Sequence, residues 1–131
     1  MSHDRVELVR AFYSARAGGN LVETWNDDEW ARTSAEALRH LADPDFEFVL
    51  VRGEAVAGDS YPGVDGLFAG MRAWLSHWDS YEIEPEELVL GDRVMVLTRE
   101  RGVSKQARVP VVQAGAVVYT FKDGRVLRIE T

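Results

Sequence analysis

The C-terminal end of the chain constrains its fold most, because it has the pattern of a β-hairpin. An apolar run over Val109–Phe121 leads into Lys122-Asp123-Gly124-Arg125 and is followed by a second apolar run over 126–130. Asp-Gly supplies the two positive-φ positions of a type I′ turn, and the β-branched and aromatic residues on both sides suit paired strands. The sequence therefore predicts two antiparallel strands, the first of them long.

Upstream of this hairpin, hydrophobic spacing predicts further helices and strands. Helices are expected over about Asp4–Ala17, from after Asn26 to Asp43-Pro44, and over Val64–Trp78; strands are expected over Asp45–Arg52, Tyr81–Leu90 and Arg93–Arg101. Asp4 and Glu7 fit a capping box, and Gly18 and Gly53 are breakers; Leu21–Trp25 could extend either neighbouring helix. Helices grouped on one face of a mostly antiparallel sheet indicate a single α+β domain over residues 1–131.

Composition excludes several classes of function. The chain has no cysteine, which excludes disulfides and thiolate metal sites and favours a cytoplasmic protein. A net charge of −7 disfavours nucleic acid as a partner, and no run approaches the ~20 apolar residues of a membrane span or the core of a signal peptide. The spacing of His3, His40 and His77 suggests no metal site, and no glycine-rich phosphate loop suggests a cofactor.

Four segments in order resemble a known family. They are Asp43-Pro44-Asp45-Phe46-Glu47-Phe48, Tyr61-Pro62-Gly63-Val64-Asp65-Gly66-Leu67, Trp78, and Val118-Tyr119-Thr120-Phe121-Lys122-Asp123-Gly124-Arg125-Val126. Over about residues 4 to 131 the chain resembles the SnoaL-like branch of the nuclear-transport-factor-2-like superfamily, which includes polyketide cyclases and ketosteroid isomerases. The resemblance implies a cone-shaped α+β barrel, with a curved sheet around a long helix, an apolar pocket at one end and frequent homodimers. Family members often continue in a short tail, whereas this sequence stops at Thr131.

The resemblance also places the groups that a ketosteroid isomerase uses. Its carboxylate base would fall at or near Phe48, its tyrosine at Phe12 or Tyr13, and its protonated aspartate at Val117. Two of these three groups are missing. Because neither phenylalanine nor valine can transfer a proton, that isomerase mechanism is not expected here.

Other ionisable residues lie on the strand predicted over Arg93–Arg101. One face carries Val94, Val96, Thr98 and Glu100, and the other carries Met95, Leu97, Arg99 and Arg101. Alternation does not show which face points inward, so Glu100 and Arg99 are both candidate catalytic residues. The alternative is a solvated ladder of cross-strand ion pairs near the barrel mouth.

Gln113 is the polar candidate in the predicted pocket wall. It shares a strand face with Val111, Val117 and Tyr119, unless a bulge at Gly115 turns it outward. A buried amide needs partners, so Gln113 has either a ligand-binding or a structural role. The residues expected to bind substrate are Tyr13, Phe48, Trp74, Trp78, Gln113, Val117 and Tyr119.

These patterns lead to two hypotheses for function. In the first, the protein binds an apolar small molecule in a barrel pocket, with cofactor-independent isomerase, cyclase or hydratase chemistry as the enzymatic option. In the second, it is a catalytically silent ligand-binding or dimerisation module. A homodimer is expected through the outer sheet face, where Pro110, Val112, Ala114, Ala116 and Val118 form an apolar strip.

Overall fold

The structure is a computed structural model that describes residues 2–16, 19–51 and 59–131. Over these residues, helices pack against one curved six-stranded sheet. The helices are α1 Ser2–Arg16, α2 Leu21–Trp25, α3 Asp28–Arg39 and α4 Gly63–Leu75. The strands are β1 Ala42–Leu50, β2 Asp59–Pro62, β3 Trp78–Val89, β4 Val94–Ser104, β5 Pro110–Lys122 and β6 Arg125–Glu130. The α+β class is confirmed.

The sheet is open, with strand order β2-β1-β6-β5-β4-β3. Its neighbouring strands are antiparallel except β1 and β6, which run parallel. The predicted hairpin joins β5 to β6, and Asp123 and Gly124 have φ of 51° and 78° as a type I′ turn requires. The pairing of β5 with β4 is continuous from Pro110 to Tyr119, so no bulge interrupts Gly115.

The core lies between the helices and the inner face of the sheet. Short-range capping defines the middle helices: Asn20 accepts from the amide of Val22 at the start of α2, and Asp27 accepts from the amide of Trp30 at the start of α3. The guanidinium of Arg72 on α4 donates to the backbone oxygen of Trp25, which joins α4 to α2. The largest side chains that are buried in the core are Trp25, Tyr81, Tyr119, Phe12, Phe48, Leu21, Leu67 and Met71.

Two predicted helix ends are wrong. The second helix ends at Arg39, and Asp43-Pro44 lies inside β1. The register of β1 against β6 shifts between Ala42 and Glu47, so no ladder hydrogen bond requires a backbone N–H at Pro44. The helix predicted to reach Trp78 ends at Leu75, because Trp78 pairs with Ser104 and begins β3.

Smaller differences concern the helix starts. Leu21–Trp25 is a helix of its own, α2. The first helix begins at Ser2, so Asp4 lies inside α1 instead of at its N-cap. The breakers predicted at Gly18 and Gly53 lie outside the described residues, as do Ala17, Arg52 and Gly58.

Candidate functional site

A buried carboxyl group lies on the inner face of β4. Strand alternation turns Val94, Val96, Thr98 and Glu100 inward, and Glu100 has no exposed surface although it carries an ionisable side chain. Burying such a group is costly unless donors replace the lost water. The candidate site is therefore built around the contacts of Glu100.

Hydroxyl groups supply two of these contacts. The Thr98 hydroxyl donates to Oε2 of Glu100 at 2.7 Å, and the phenol of Tyr81 on β3 donates to Oε1. The amide nitrogen of Gln113 on β5 donates in turn to the Tyr81 oxygen at 3.0 Å. We call Thr98, Glu100, Tyr81 and Gln113 the Glu100 network. It joins three adjacent strands across the inner face of the sheet.

Close packing positions the phenol of Tyr81. Tyr81 pairs with Gly102 across β3 and β4, and a Cβ atom on Gly102 would lie only 2.7 Å from Cδ2 of Tyr81 and 2.5 Å from Cε3 of Trp78. The missing side chain lets both rings lie against β4. Trp74 contacts both of them, with ring centroids 5.6 Å from Trp78 and 5.9 Å from Tyr81. These aromatic contacts restrict where the Tyr81 hydroxyl can point.

A cleft opens where β5 separates from β6. Among the described residues, β5 pairs with β6 only from Val118 onward, so the preceding part of β5 has β4 on one side and open space on the other. We call this space the β5 cleft; its volume is about 350 Å³. Its lining residues are Val51, Trp74, Gln113, Ala114, Gly115, Ala116 and Thr131. Gln113 therefore belongs both to the cleft and to the Glu100 network.

The structure separates the two catalytic candidates. Arg99 is half-exposed on the outer face of β4, where its guanidinium lies 3.7 Å from the carboxylate of Glu86 on β3, whereas Glu100 faces the core. The two side chains point to opposite faces of the sheet. The ion-pair ladder considered from the sequence matches Arg99 and is wrong for Glu100.

The expected binding residues fall into three places. Trp74 and Gln113 line the β5 cleft, and Trp78 lies behind Trp74 with 9% of its surface exposed. Phe48, Val117 and Tyr119 are fully buried in the core. Tyr13 lines a different cleft of about 280 Å³ between α1 and the ends of β3 and β4. The predicted set is therefore not one pocket wall.

Sequence reasoning missed the partner of Glu100. The sequence predicts that Tyr81 lies on a strand but does not connect it to Glu100, because the register of β3 against β4 has no local signal. Alternation puts Thr98 on the same face as Glu100 and gives it no role. Only the pairing of Ile83 with Glu100 and of Tyr81 with Gly102 brings the phenol to the carboxyl group.

Within the described ranges, no three His, Asp or Glu side chains lie together in a way that could hold a metal ion. None of the helices described is both long and apolar enough to cross a membrane.

Comparison with known proteins relates this geometry to a family. Residues 22–129 match the model of the SnoaL-like domain. No curated protein sequence matches the chain. Three similar crystal structures share the fold. One is TerC co-crystallised with polyporic acid, with 18% identity, coverage of 97% of this chain and 88% of that chain, and a TM-score of 0.67.

The other two structures are proteins from Jannaschia sp. and Catenulispora acidiphila. A SnoaL-like protein from Jannaschia sp. has 18% identity, coverage of 98% of this chain and 84% of that chain, and a TM-score of 0.69. A protein with a ketosteroid isomerase-like fold from Catenulispora acidiphila, in complex with trimethylamine, has 17% identity, coverage of 95% and 82%, and a TM-score of 0.65. Because the family model covers most of the sequence, the chain belongs to the SnoaL-like domain family.

Proposed function

We propose that this protein binds a small, largely apolar molecule in the β5 cleft, with Gln113 as its polar contact. One observation carries the proposal: the Glu100 network runs from a fully buried carboxyl group to a side chain that lines the cleft. A buried polar chain of this kind holds its last member in a defined orientation. A cleft lined by an aromatic ring, small residues and polar groups, one of which is held in a defined orientation, is a place where a small molecule can bind.

The walls of the cleft favour a flat ligand. Trp74 supplies an aromatic surface, and Ala114, Gly115 and Ala116 leave space beside the strand. A volume of about 350 Å³ lies at the small end of the range for ligand pockets, which extends from about 300 to 1,000 Å³. The cleft therefore suits a molecule of one or two rings.

Two of the similar structures hold small molecules. Polyporic acid was crystallised with TerC, and trimethylamine is bound to the Catenulispora protein. They support a small-molecule role for this fold, and they do not select a ligand for this chain. The absence of cysteine from the sequence is consistent with the reducing cytoplasm that we propose as its location.

Acid–base catalysis is a second candidate function. It is favoured by the hydrogen bond between the Tyr81 phenol and the Glu100 carboxyl group, a pair that can exchange a proton. Both groups are buried, so a ligand would have to reach the Tyr81 hydroxyl, which can pass a proton to or from Glu100, while the Gln113 amide only orients that hydroxyl. The isomerisation, ring closure or hydration expected from the sequence would all need this relay.

Ligand binding is tested with a matched pair of variants on β5. Gln113→Leu removes the polar contact, and Val112→Ala changes the exposed outer face one residue away. Titration calorimetry with small aromatic compounds should show binding to the wild type and to Val112→Ala, and binding about fivefold to tenfold weaker to Gln113→Leu for compounds with polar groups. Equal affinities in all three proteins would contradict the proposed site.

A further inference from the structure

We propose that the Glu100 network turns the carbonyl oxygen of Gln113 toward the β5 cleft, so that the cleft selects ligands that donate a hydrogen bond. The ligand class is then a planar aromatic alcohol, such as a phenol or naphthol. This inference rests on the proposed function and adds to it the chemistry of the ligand's polar group.

The first step is the direction of the hydrogen bonds at Glu100. Its two carboxyl oxygens accept from Tyr81 and from Thr98. A phenol has one proton, and that of Tyr81 is donated to Glu100. The Tyr81 oxygen can therefore only accept from its other neighbour.

The second step is the orientation of Gln113. Because the Tyr81 oxygen accepts, the group facing it must be the amide nitrogen of Gln113, which lies 3.0 Å away. The amide is planar, with its nitrogen and oxygen on opposite arms. With the nitrogen held by Tyr81, the oxygen occupies the other arm.

The third step is what the cleft offers a ligand. No described residue donates to the Gln113 carbonyl oxygen, and Gln113 lines the cleft. A ligand that binds there without a donor would displace water from this acceptor and leave it unsatisfied. A site built to bond a hydroxyl discriminates strongly against analogues that lack one. The acceptor therefore favours ligands with a hydroxyl or N–H group.

The fourth step is the shape of the ligand. Trp74 and the small residues Ala114, Gly115 and Ala116 of β5 line the cleft next to this acceptor. An aromatic ring with a hydroxyl group meets both requirements at once. An aliphatic alcohol has no ring to pack against Trp74.

The inference is tested with two probes of nearly the same shape, 2-naphthol and 2-methoxynaphthalene. The wild type should bind 2-naphthol about fivefold to tenfold more tightly in titration calorimetry, since only this probe donates a hydrogen bond. In Gln113→Leu the preference should fall below about twofold. In Tyr81→Phe it should also fall, because the amide nitrogen loses the acceptor that holds it. Tyr61→Phe, which removes a phenol on β2 outside the network, should keep the wild-type preference.

Other results of this experiment would contradict the inference or one of its parts. If the wild type binds both probes equally, the inference is overturned and the cleft remains a binding site. A preference for 2-methoxynaphthalene, or a naphthol preference that survives in Gln113→Leu, also overturns it. A preference that is unchanged in a folded Tyr81→Phe protein overturns the role of the network. If neither probe binds, both this inference and the proposed function fail for planar aromatic ligands.

Discussion

Glu100 shows how single residues hold a carboxyl group in an apolar core. The Thr98 hydroxyl donates one of the hydrogen bonds described for the Glu100 carboxyl group. Thr98 and Glu100 are both almost fully buried. Thr98→Val keeps the shape but removes the hydroxyl, so Oε2 of Glu100 loses that donor. We expect the free energy of unfolding in urea to fall by about 1–3 kcal/mol.

A threonine-to-valine substitution on the outer face of the sheet is the control for Thr98→Val. Thr120→Val changes a partly exposed residue of β5 and should alter the free energy of unfolding by less than about 0.5 kcal/mol. Equal effects of the two substitutions would show that the Thr98 hydroxyl contributes nothing specific to Glu100.

Gly102 makes room for the aromatic rings beside the network. Gly102→Ala would place Cβ 2.5 Å from the Trp78 ring and 2.7 Å from the Tyr81 ring, so both rings must move. We expect a loss of about 1–3 kcal/mol in the free energy of unfolding, together with weaker ligand binding. In Gly91→Ala the nearest atom is 3.5 Å from the new Cβ, and stability should change little. A stable Gly102→Ala protein with unchanged ligand affinity would contradict this packing.

Glu47 carries a charge whose effect depends on pH. The Ser60 hydroxyl, which donates to Oε2 at 2.8 Å, and then the Arg128 guanidinium lower the pKa of Glu47 from its ordinary value of 4.5. Because the pKa of Glu47 is lower in the folded state than in the unfolded state, its ionised form stabilises the protein above pH 4.5. This contribution to the free energy of unfolding is lost as the pH falls through the folded-state pKa.

We therefore expect the carboxyl resonance of Glu47 to titrate below pH 4.5 in NMR spectra. In Ser60→Ala, which removes the larger cause, the pKa of Glu47 should rise toward 4.5. A value at or above 4.5 in the wild type would mean that these two contacts do not persist in solution.

At the scale of elements, the turn between β5 and β6 depends on left-handed backbone conformation. Gly124 has φ of 78° and no atom within 4 Å of a built Cβ, so the cost of a side chain there is conformational. Gly124→Ala should lower the free energy of unfolding by about 1–2 kcal/mol in chemical denaturation. Asp123→Asn keeps a residue that tolerates its φ of 51° and should be close to neutral. If Asp123→Asn cost as much as Gly124→Ala, side-chain contacts of Asp123 would matter more than turn geometry.

Element boundaries were predicted well where the signal is local. The Asp-Gly turn and the alternation of β5 were correct because turn chemistry and strand period are properties of neighbouring residues. Pro44 and Trp78 were assigned wrongly because their strands are defined by distant partners. A proline usually ends a helix, but here the irregular pairing of β1 with β6 accommodates it in a strand.

For the whole molecule, we expect a homodimer through the outer face of the sheet. Val112 is 63% exposed, and Ala114 and Ala116 are exposed on the same face of β5. A continuous apolar strip of this kind favours association. Light scattering should therefore give twice the 14.7 kDa monomer mass at micromolar concentration.

Val112→Glu should shift the protein to the monomer mass without unfolding it, because the new carboxylate lies opposite Arg101 on β4. Leu90→Glu adds the same charge at an exposed residue just after β3, at the other end of the sheet, and should leave the mass unchanged. A wild type that is already monomeric under these conditions would contradict the dimer.

The sequence by itself determined the fold class, the C-terminal hairpin and the inward face of β5, including Gln113. Each depends on spacing within a short stretch of chain. Only the tertiary structure decided that Glu100 points inward and Arg99 outward, and that Tyr81 and Gln113 connect Glu100 to a cleft. Tyr81 is 19 residues from Glu100 and 32 from Gln113 along the chain. Such contacts are set by strand register and by the burial of both partners, which no local pattern encodes.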